Sequence, residues 1–375
     1  MKIIVYFLGV LSALFFISGC SCDRSDNNKV VVKDAPKAKS KIMSPEQNTF
    51  RIGEEIPFSV ALVDTATVID SVNFYLDEEL QGTIRSTPYK FFINSKDIRV
   101  GTHLLRAMIY YQDGSRDITR TTISLLSDIE PARYTYRVIR KYPHDSQAFT
   151  QGLVYDGKLL YEGTGQKGES SLRKVELQTG NVLQNHYLAS NLFGEGIALY
   201  ENKIIQLTWK SRVGFVYDKD TFEELQQFTY TTEGWGITTM GNSLIMSDGS
   251  ATLYQLDPES FAIIDKFEVY NQFGPIVDLN ELEYINGIIF ANVFQTEEIA
   301  MIDPATGKLI GIADMSGLVN FNDQTDRLDV LNGIAYVQAT DHLLVTGKWW
   351  PNIYEVELIE EQPAVALTTP LEEGS

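Results

Sequence analysis

Five short segments of this 375-residue chain share one pattern, a polar or aromatic residue beside a small one and then an apolar strand. They are Gln151-Gly152-Leu153-Val154-Tyr155, Glu195-Gly196-Ile197-Ala198-Leu199, Trp235-Gly236-Ile237-Thr238, Glu281-Leu282-Glu283-Tyr284-Ile285 and Asn332-Gly333-Ile334-Ala335-Tyr336. From Gly152 through Gly196, Gly236 and Glu283 to Gly333 the steps are 44, 40, 47 and 50 residues. A period of this length marks a repeat architecture, in which each unit buries its apolar faces only against its neighbours. A second apolar run follows each opening, then a third, and several third runs end in a turn signal such as Leu256-Asp257-Pro258 or Ile302-Asp303-Pro304. Four strands per period describe a propeller blade. Residues 134–358 are therefore expected to form a five-bladed β-propeller. The fifth repeat stops near Leu358 one strand short, and Tyr134 to Tyr142 is expected to supply that strand and close the ring. No apolar period of 3.6 residues persists beyond a turn or two, which argues against long helices.

Ahead of the repeats, residues 42–127 alternate in short apolar runs separated by turn residues, with Asp113-Gly114 as a hairpin signal. Six or seven strands in that length predict a small immunoglobulin-like β-sandwich, so the fold class is all-β. The chain begins with Met1-Lys2, an apolar run from Ile3 to Phe16 and then Ile17-Ser18-Gly19-Cys20. This is the pattern of a secretory signal peptide over residues 1–20, and the small residues before Cys20 resemble the lipobox of bacterial lipoproteins. The implied product is acylated on Cys20 and held on the lipid bilayer of the bacterial cell envelope by more than one acyl chain. Residues 21–41 are polar and read as a tether, and residues 361–375, with Pro363 and Pro370, as a disordered tail. Cys20 and Cys22 are the only cysteines, so the folded body has no disulfide and no thiol nucleophile. The net charge of −19 argues against nucleic acid as a partner, since phosphate binding needs clustered cations.

In a propeller the innermost strands face the central channel, so the repeat openings project onto one ring. Gln151, Glu195, Trp235, Asn280 and Asn332 lie on it, with Phe149, Trp209 and Lys348 close in sequence to inner strands. A few ionisable groups among aromatic walls suit a small catalytic pocket. Aromatics in propellers also serve as packing between blades, and inner-strand acids also bind backbone amides.

Residues 134–358 resemble the glutaminyl cyclotransferases of the plant and bacterial type. The resemblance runs through Phe149-Thr150-Gln151-Gly152-Leu153, Phe193-Gly194-Glu195-Gly196, Leu207-Thr208-Trp209-Lys210, Glu233-Gly234-Trp235-Gly236, Leu279-Asn280-Glu281-Leu282-Glu283, Leu331-Asn332-Gly333 and Thr346-Gly347-Lys348-Trp349-Trp350-Pro351, in order. It implies an enzyme that cyclises the N-terminal glutamine of peptides or proteins to pyroglutamate and releases ammonia, an acyltransfer without zinc. It also implies Glu195 as the proton shuttle, with Asn280 and Lys348 binding the amide oxygen. Gln151, Phe149, Phe193, Trp209 and Trp235 would line the substrate pocket. Where the family usually has a further tryptophan this chain has Phe294. No cofactor is required for that chemistry; Asn332 and Glu283 could offer oxygens to a structural calcium ion. The alternatives are a non-catalytic propeller binding module on a membrane-anchored lipoprotein and a calcium-dependent propeller hydrolase such as a lactonase. The latter would want more carboxylates at the openings. Asp323, Asp326 and Asp329 read as solvated surface.

Overall fold

The computed structural model describes residues 39–63, 67–321 and 327–362. The signal peptide, Cys20, nearly all of the tether and nearly all of the C-terminal tail lie outside the described residues. Every regular element described is a β-strand.

The first eight strands form two facing sheets. One consists of β1 (Ser40–Ser44), β3 (Glu55–Leu62) and β6 (Lys90–Asn94), the other of β2 (Thr49–Arg51), β8 (Arg116–Leu126), β7 (Gly101–Tyr111), β4 (Ile69–Leu76) and β5 (Glu79–Ile84), in that spatial order. Alternate residues of both sheets, among them Phe58, Phe74, Leu105, Ile109 and Ile123, meet in one apolar core. This is the period-2 burial expected of strands with one face inward. The sandwich begins two residues before the expected start at residue 42. Ser40 and Lys41 carry no apolar signal, yet they pair with Leu62 and Ala61 as part of an edge strand.

After the sandwich, β9 (Ala132–Pro143) leads into five four-stranded units. The first is β10 (Thr150–Tyr155), β11 (Leu160–Thr164), β12 (Ser171–Glu176) and β13 (Asn181–Tyr187). The second is β14 (Gly194–Tyr200), β15 (Lys203–Thr208), β16 (Val213–Asp218) and β17 (Glu224–Thr229). The third is β18 (Ile237–Met240), β19 (Ser243–Ser247), β20 (Thr252–Leu256) and β21 (Ile263–Glu268). The fourth is β22 (Leu279–Ile285), β23 (Ile288–Val293), β24 (Glu298–Ile302) and β25 (Leu309–Asp314). The fifth is β26 (Leu331–Val337), β27 (His342–Gly347), β28 (Asn352–Glu360) and β9 itself. β9 pairs antiparallel with β28 from Tyr134 opposite Glu360 to Pro143 opposite Asn352, so the outer strand of the last unit comes from ahead of the first. Its first residues, Ala132 to Tyr134, also pair in parallel with β25, which joins the fourth and fifth units into one eight-stranded sheet.

The first strands touch in a closed cycle, β10 to β14, β18, β22, β26 and back to β10. Each junction holds its own apolar seam. Leu172 shares a buried apolar cluster with Ile204 and Phe215, Val216 with Leu244, Leu253 with Ile289, Ile299 with Val345, and Leu344 with Leu153. The sandwich docks on the third and fourth units. Tyr270 sits in the sandwich core, Arg99 Nη1 pairs with Asp265 at 2.7 Å, and the Thr102 amide donates to Glu268 Oε2 at 2.6 Å.

Candidate active site

Four of the five first strands carry the same irregularity at their openings. In β10 the pairing steps from Thr150 with Thr164 to Gly152 with Gly163, leaving Gln151 as an extra residue. In β14, Glu195 and Gly196 together oppose Leu207; in β22, Asn280 and Glu281 oppose Asn292; in β26, Asn332 and Gly333 oppose Thr346. A bulge of this kind re-aims a side chain out of the strand's alternation. The glycines of the repeat answer to a different need. A Cβ on Gly196 would lie 2.6 Å from the Trp235 carbonyl oxygen, and one on Gly236 would lie 2.0 Å from that of Asn280. Neighbouring inner strands thus approach backbone to backbone, and only glycine permits it.

The openings and the loops beside them enclose a cavity of about 270 Å³. Phe149, Phe193, Trp209, Trp235 and Phe294 form its walls, and Gln151, Glu195, Asn280 and Lys348 supply its polar groups. All nine residues expected in catalysis or substrate binding are brought together here. The polar four are at most 4% exposed, whereas the aromatic five are half-buried and face the opening. Phe149 packs edge-on against Phe193 at 5.9 Å between ring centres, Phe193 against Trp209 at 5.6 Å, and Trp235 against Phe294 at 5.6 Å. Lys348 Nζ stands 4.9 Å from the Phe149 ring centre and 5.0 Å from that of Phe294, within cation–π range of both.

Glu195 is held well above the usual carboxylate range, first by burial, which disfavours the charged form, and also by the nearby charge of Glu233. Lys348 and a hydrogen bond with Gln151 oppose that shift. Burial pushes Lys348 the other way, below the usual ammonium range, against the pull of Glu195 and Asp329. Gln151 is itself fixed, because Asn332 Nδ2 donates to its Oε1 at 3.1 Å and to the Thr150 carbonyl at 3.0 Å. Asn280 Oδ1 is buried with no hydrogen-bond partner, an acceptor left open in a cavity wall.

Asn332 and Glu283 stand apart from this cavity lining. Glu283 accepts from the Tyr336 amide at 3.2 Å and from Thr238 Oγ1 at 3.4 Å, and Glu281 accepts from the amides of Leu153 and Ile334 at 3.2 and 2.8 Å. These carboxyls stitch inner strands together across the axis, and Asn332 Oδ1 is the one oxygen among them without a partner. Among the described residues no three His, Cys, Asp or Glu side chains converge as metal ligands would. Because the Glu281 and Glu283 oxygens already accept from amides and a hydroxyl, this set offers one open oxygen, Asn332 Oδ1, against the six to eight that calcium collects.

Of the three acids read as solvated surface, Asp323 and Asp326 lie outside the described residues, and Asp329 departs from that reading. It lines the cavity, and its backbone amide donates to the Lys348 carbonyl at 3.0 Å. Gln166 lines the cavity as well, and Trp349 stacks edge-on with Phe149 at 4.6 Å. These residues lie outside the repeat openings, so the period gave no signal for them. Trp349, adjoining Lys348 in the last matching motif, is the one that the motif itself could have flagged.

The sequence profile of the glutamine cyclotransferase family matches residues 115–358. The chain belongs to that family. A bacterial Ig domain profile matches residues 39–107, the greater part of the sandwich. Among glutamine cyclotransferases, the glutaminyl-peptide cyclotransferase of Arabidopsis thaliana is 41% identical over 227 residues, covering 59% of this chain and 70% of its own length. The crystal structure of Myxococcus xanthus glutaminyl cyclase superposes with a TM-score of 0.57 at 33% identity, covering 62% of this chain and all of that one.

Proposed function

We propose that this chain is a glutaminyl-peptide cyclotransferase whose proton shuttle is Glu195. The observation that carries the proposal is a buried carboxyl, raised above its ordinary range, beside a buried lysine in an aromatic cavity. Family membership and the named relatives support it.

The substrate provides its own nucleophile. Its neutral α-amine attacks the γ-carboxamide carbon, forming a C–N bond and moving the carbonyl π electrons onto oxygen. Ionised Glu195 takes the proton that the amine sheds. Lys348 and the Asn280 amide are placed to hold the oxyanion, and the open Asn280 Oδ1 is placed to accept a substrate N–H. The oxyanion then collapses, the bond to the former amide nitrogen breaks, and Glu195 returns its proton to that nitrogen, which leaves as ammonia. One carboxyl thus serves as base and then acid, which requires an affinity for protons near that of its partners. The groups in this proposed cycle are the substrate's own amine and amide and three protein side chains, so the proposed acyltransfer gives zinc no step, and a chelator should leave turnover intact. Calcium is likewise given no step.

The five units are proposed to be the blades of a five-bladed β-propeller over residues 134–358, supported by the closed cycle of inner strands and the five seams. The sandwich is proposed as a spacer, and Cys20 as an acylated anchor in the cell envelope, supported by Ile17-Ser18-Gly19-Cys20. The purified chain incubated with a Gln-Xaa peptide should release ammonia and yield a peptide lighter by that ammonia. Binding without release would favour the non-catalytic module instead.

A further inference from the structure

The aromatic walls form a belt that needs two joints. From Phe149 the rings run to Phe193 and Trp209; from Lys348 they run through Phe294 to Trp235. Lys348, over both Phe149 and Phe294, joins one pair of ends. At the other end the two indoles belong to different units, Trp209 following β15 and Trp235 preceding β18. Both donate their Nε1–H to the same atom, Glu233 Oε2, at 2.6 and 3.1 Å. Lys210 lies 3.8 Å from the other oxygen, Oε1, and 4.0 Å from the Trp209 ring centre.

We propose that Glu233 is a positioning residue that fixes Trp209 and Trp235 as facing walls of the substrate cavity. A half-buried indole has two soft torsions and one polar handle, and anchoring both handles on one carboxylate oxygen sets the gap between the rings. The same carboxylate places a negative charge near Glu195, while Lys348, Gln151 and Tyr230 are the other groups that interact with it, and Asp329 acts on Lys348. The inference rests on the cyclotransferase reading, but the geometry of the clamp does not.

Two variants separate clamp from charge. In Glu233→Gln a side-chain carbonyl still accepts two N–H groups, but the charge is gone; in Glu233→Ala both are lost. Glu233→Ala should raise KM for a Gln-Xaa peptide more than it lowers kcat, with kcat/KM falling by up to about 100-fold, as a misplaced wall costs. It should also alter the near-ultraviolet circular dichroism of the indoles. Glu233→Gln should rescue KM and the indole spectrum, yet move the acidic limb of the kcat–pH profile to lower pH, because a like charge beside Glu195 has been removed. Equal KM values for the folded alanine and glutamine variants, or an unmoved acidic limb in Glu233→Gln, would overturn the proposal. Should Glu233→Ala fail to fold, Glu233→Asp, which keeps the charge but draws the carboxylate back by one methylene from both indoles, must raise KM in its place; unchanged KM there also overturns it. The indole spectrum is read without substrate, so an inactive wild type would count against the cyclotransferase reading and leave the clamp tested.

Discussion

As the proposed proton shuttle, Glu195 would have to hold a proton long enough to return it and release it readily enough to begin again, and its surroundings set that balance. Burial raises it and Lys348 restrains it. Glu195→Gln keeps the size and most hydrogen bonding but cannot carry a proton. It should fold normally and bind a Gln-Xaa peptide, with kcat for ammonia release down by about 10²–10⁴-fold. Lys348→Ala should lower kcat by about 10²–10³-fold through loss of an oxyanion partner. Glu283 gives a separate test through stability. Burial pushes it up to about 8 from an ordinary 4.5. The folded state therefore binds the extra proton between those values, and stability contributed by this group is present at low pH and lost as pH rises from about 4.5 to about 8. Thermal melts across that window should fall more steeply with pH for the wild type than for Glu283→Gln.

The openings of the inner strands are where sequence and geometry agree most closely. Gly236→Ala should show how tightly they fit, since the new Cβ would lie 2.0 Å from the Asn280 carbonyl oxygen. Overpacking of this kind costs about 1–3 kcal/mol, and here it also displaces a cavity residue, so melting temperature and kcat should fall together. The spacing of Gly152, Gly196 and Gly236 revealed the units because close backbone approach admits one residue type, and Gly333 joins them through a positive φ of 117°. Period and alternation likewise revealed the sandwich, and the nine residues singled out from the resemblance line one cavity. Asp329 and Gln166 were not legible in that way, and Glu233 stood in a matching motif with no signal of its role. All three lie on connecting segments, where no periodic burial constrains composition; Asp329 and Gln166 line the cavity, while Glu233 holds two of its indoles. Ser40 was hidden for a related reason, since an edge strand has no apolar code of its own.

At the scale of the molecule, β9 ties the first residues of the ring to the last. A chain starting at Asp128 keeps β9 and should retain turnover of small peptides, whereas one starting at His144 exposes β28 as an open edge and should melt at a lower temperature and aggregate. Upstream, Cys20→Ala should leave the protein in the soluble fraction after export, and mass spectrometry of the mature N-terminus reads the modification directly. The pairing of β9 with β28 also has a bearing on time. Glu195 lies in the second unit and Lys348 in the fifth, so the polar half of the cavity comes together only when the C-terminal strand has emerged and found a partner made more than two hundred residues earlier. Contacts of such long sequence separation form slowly. A chain that stops before β28 should therefore be catalytically silent, and ammonia release would report that the last strand of the cycle has been made and paired with β9.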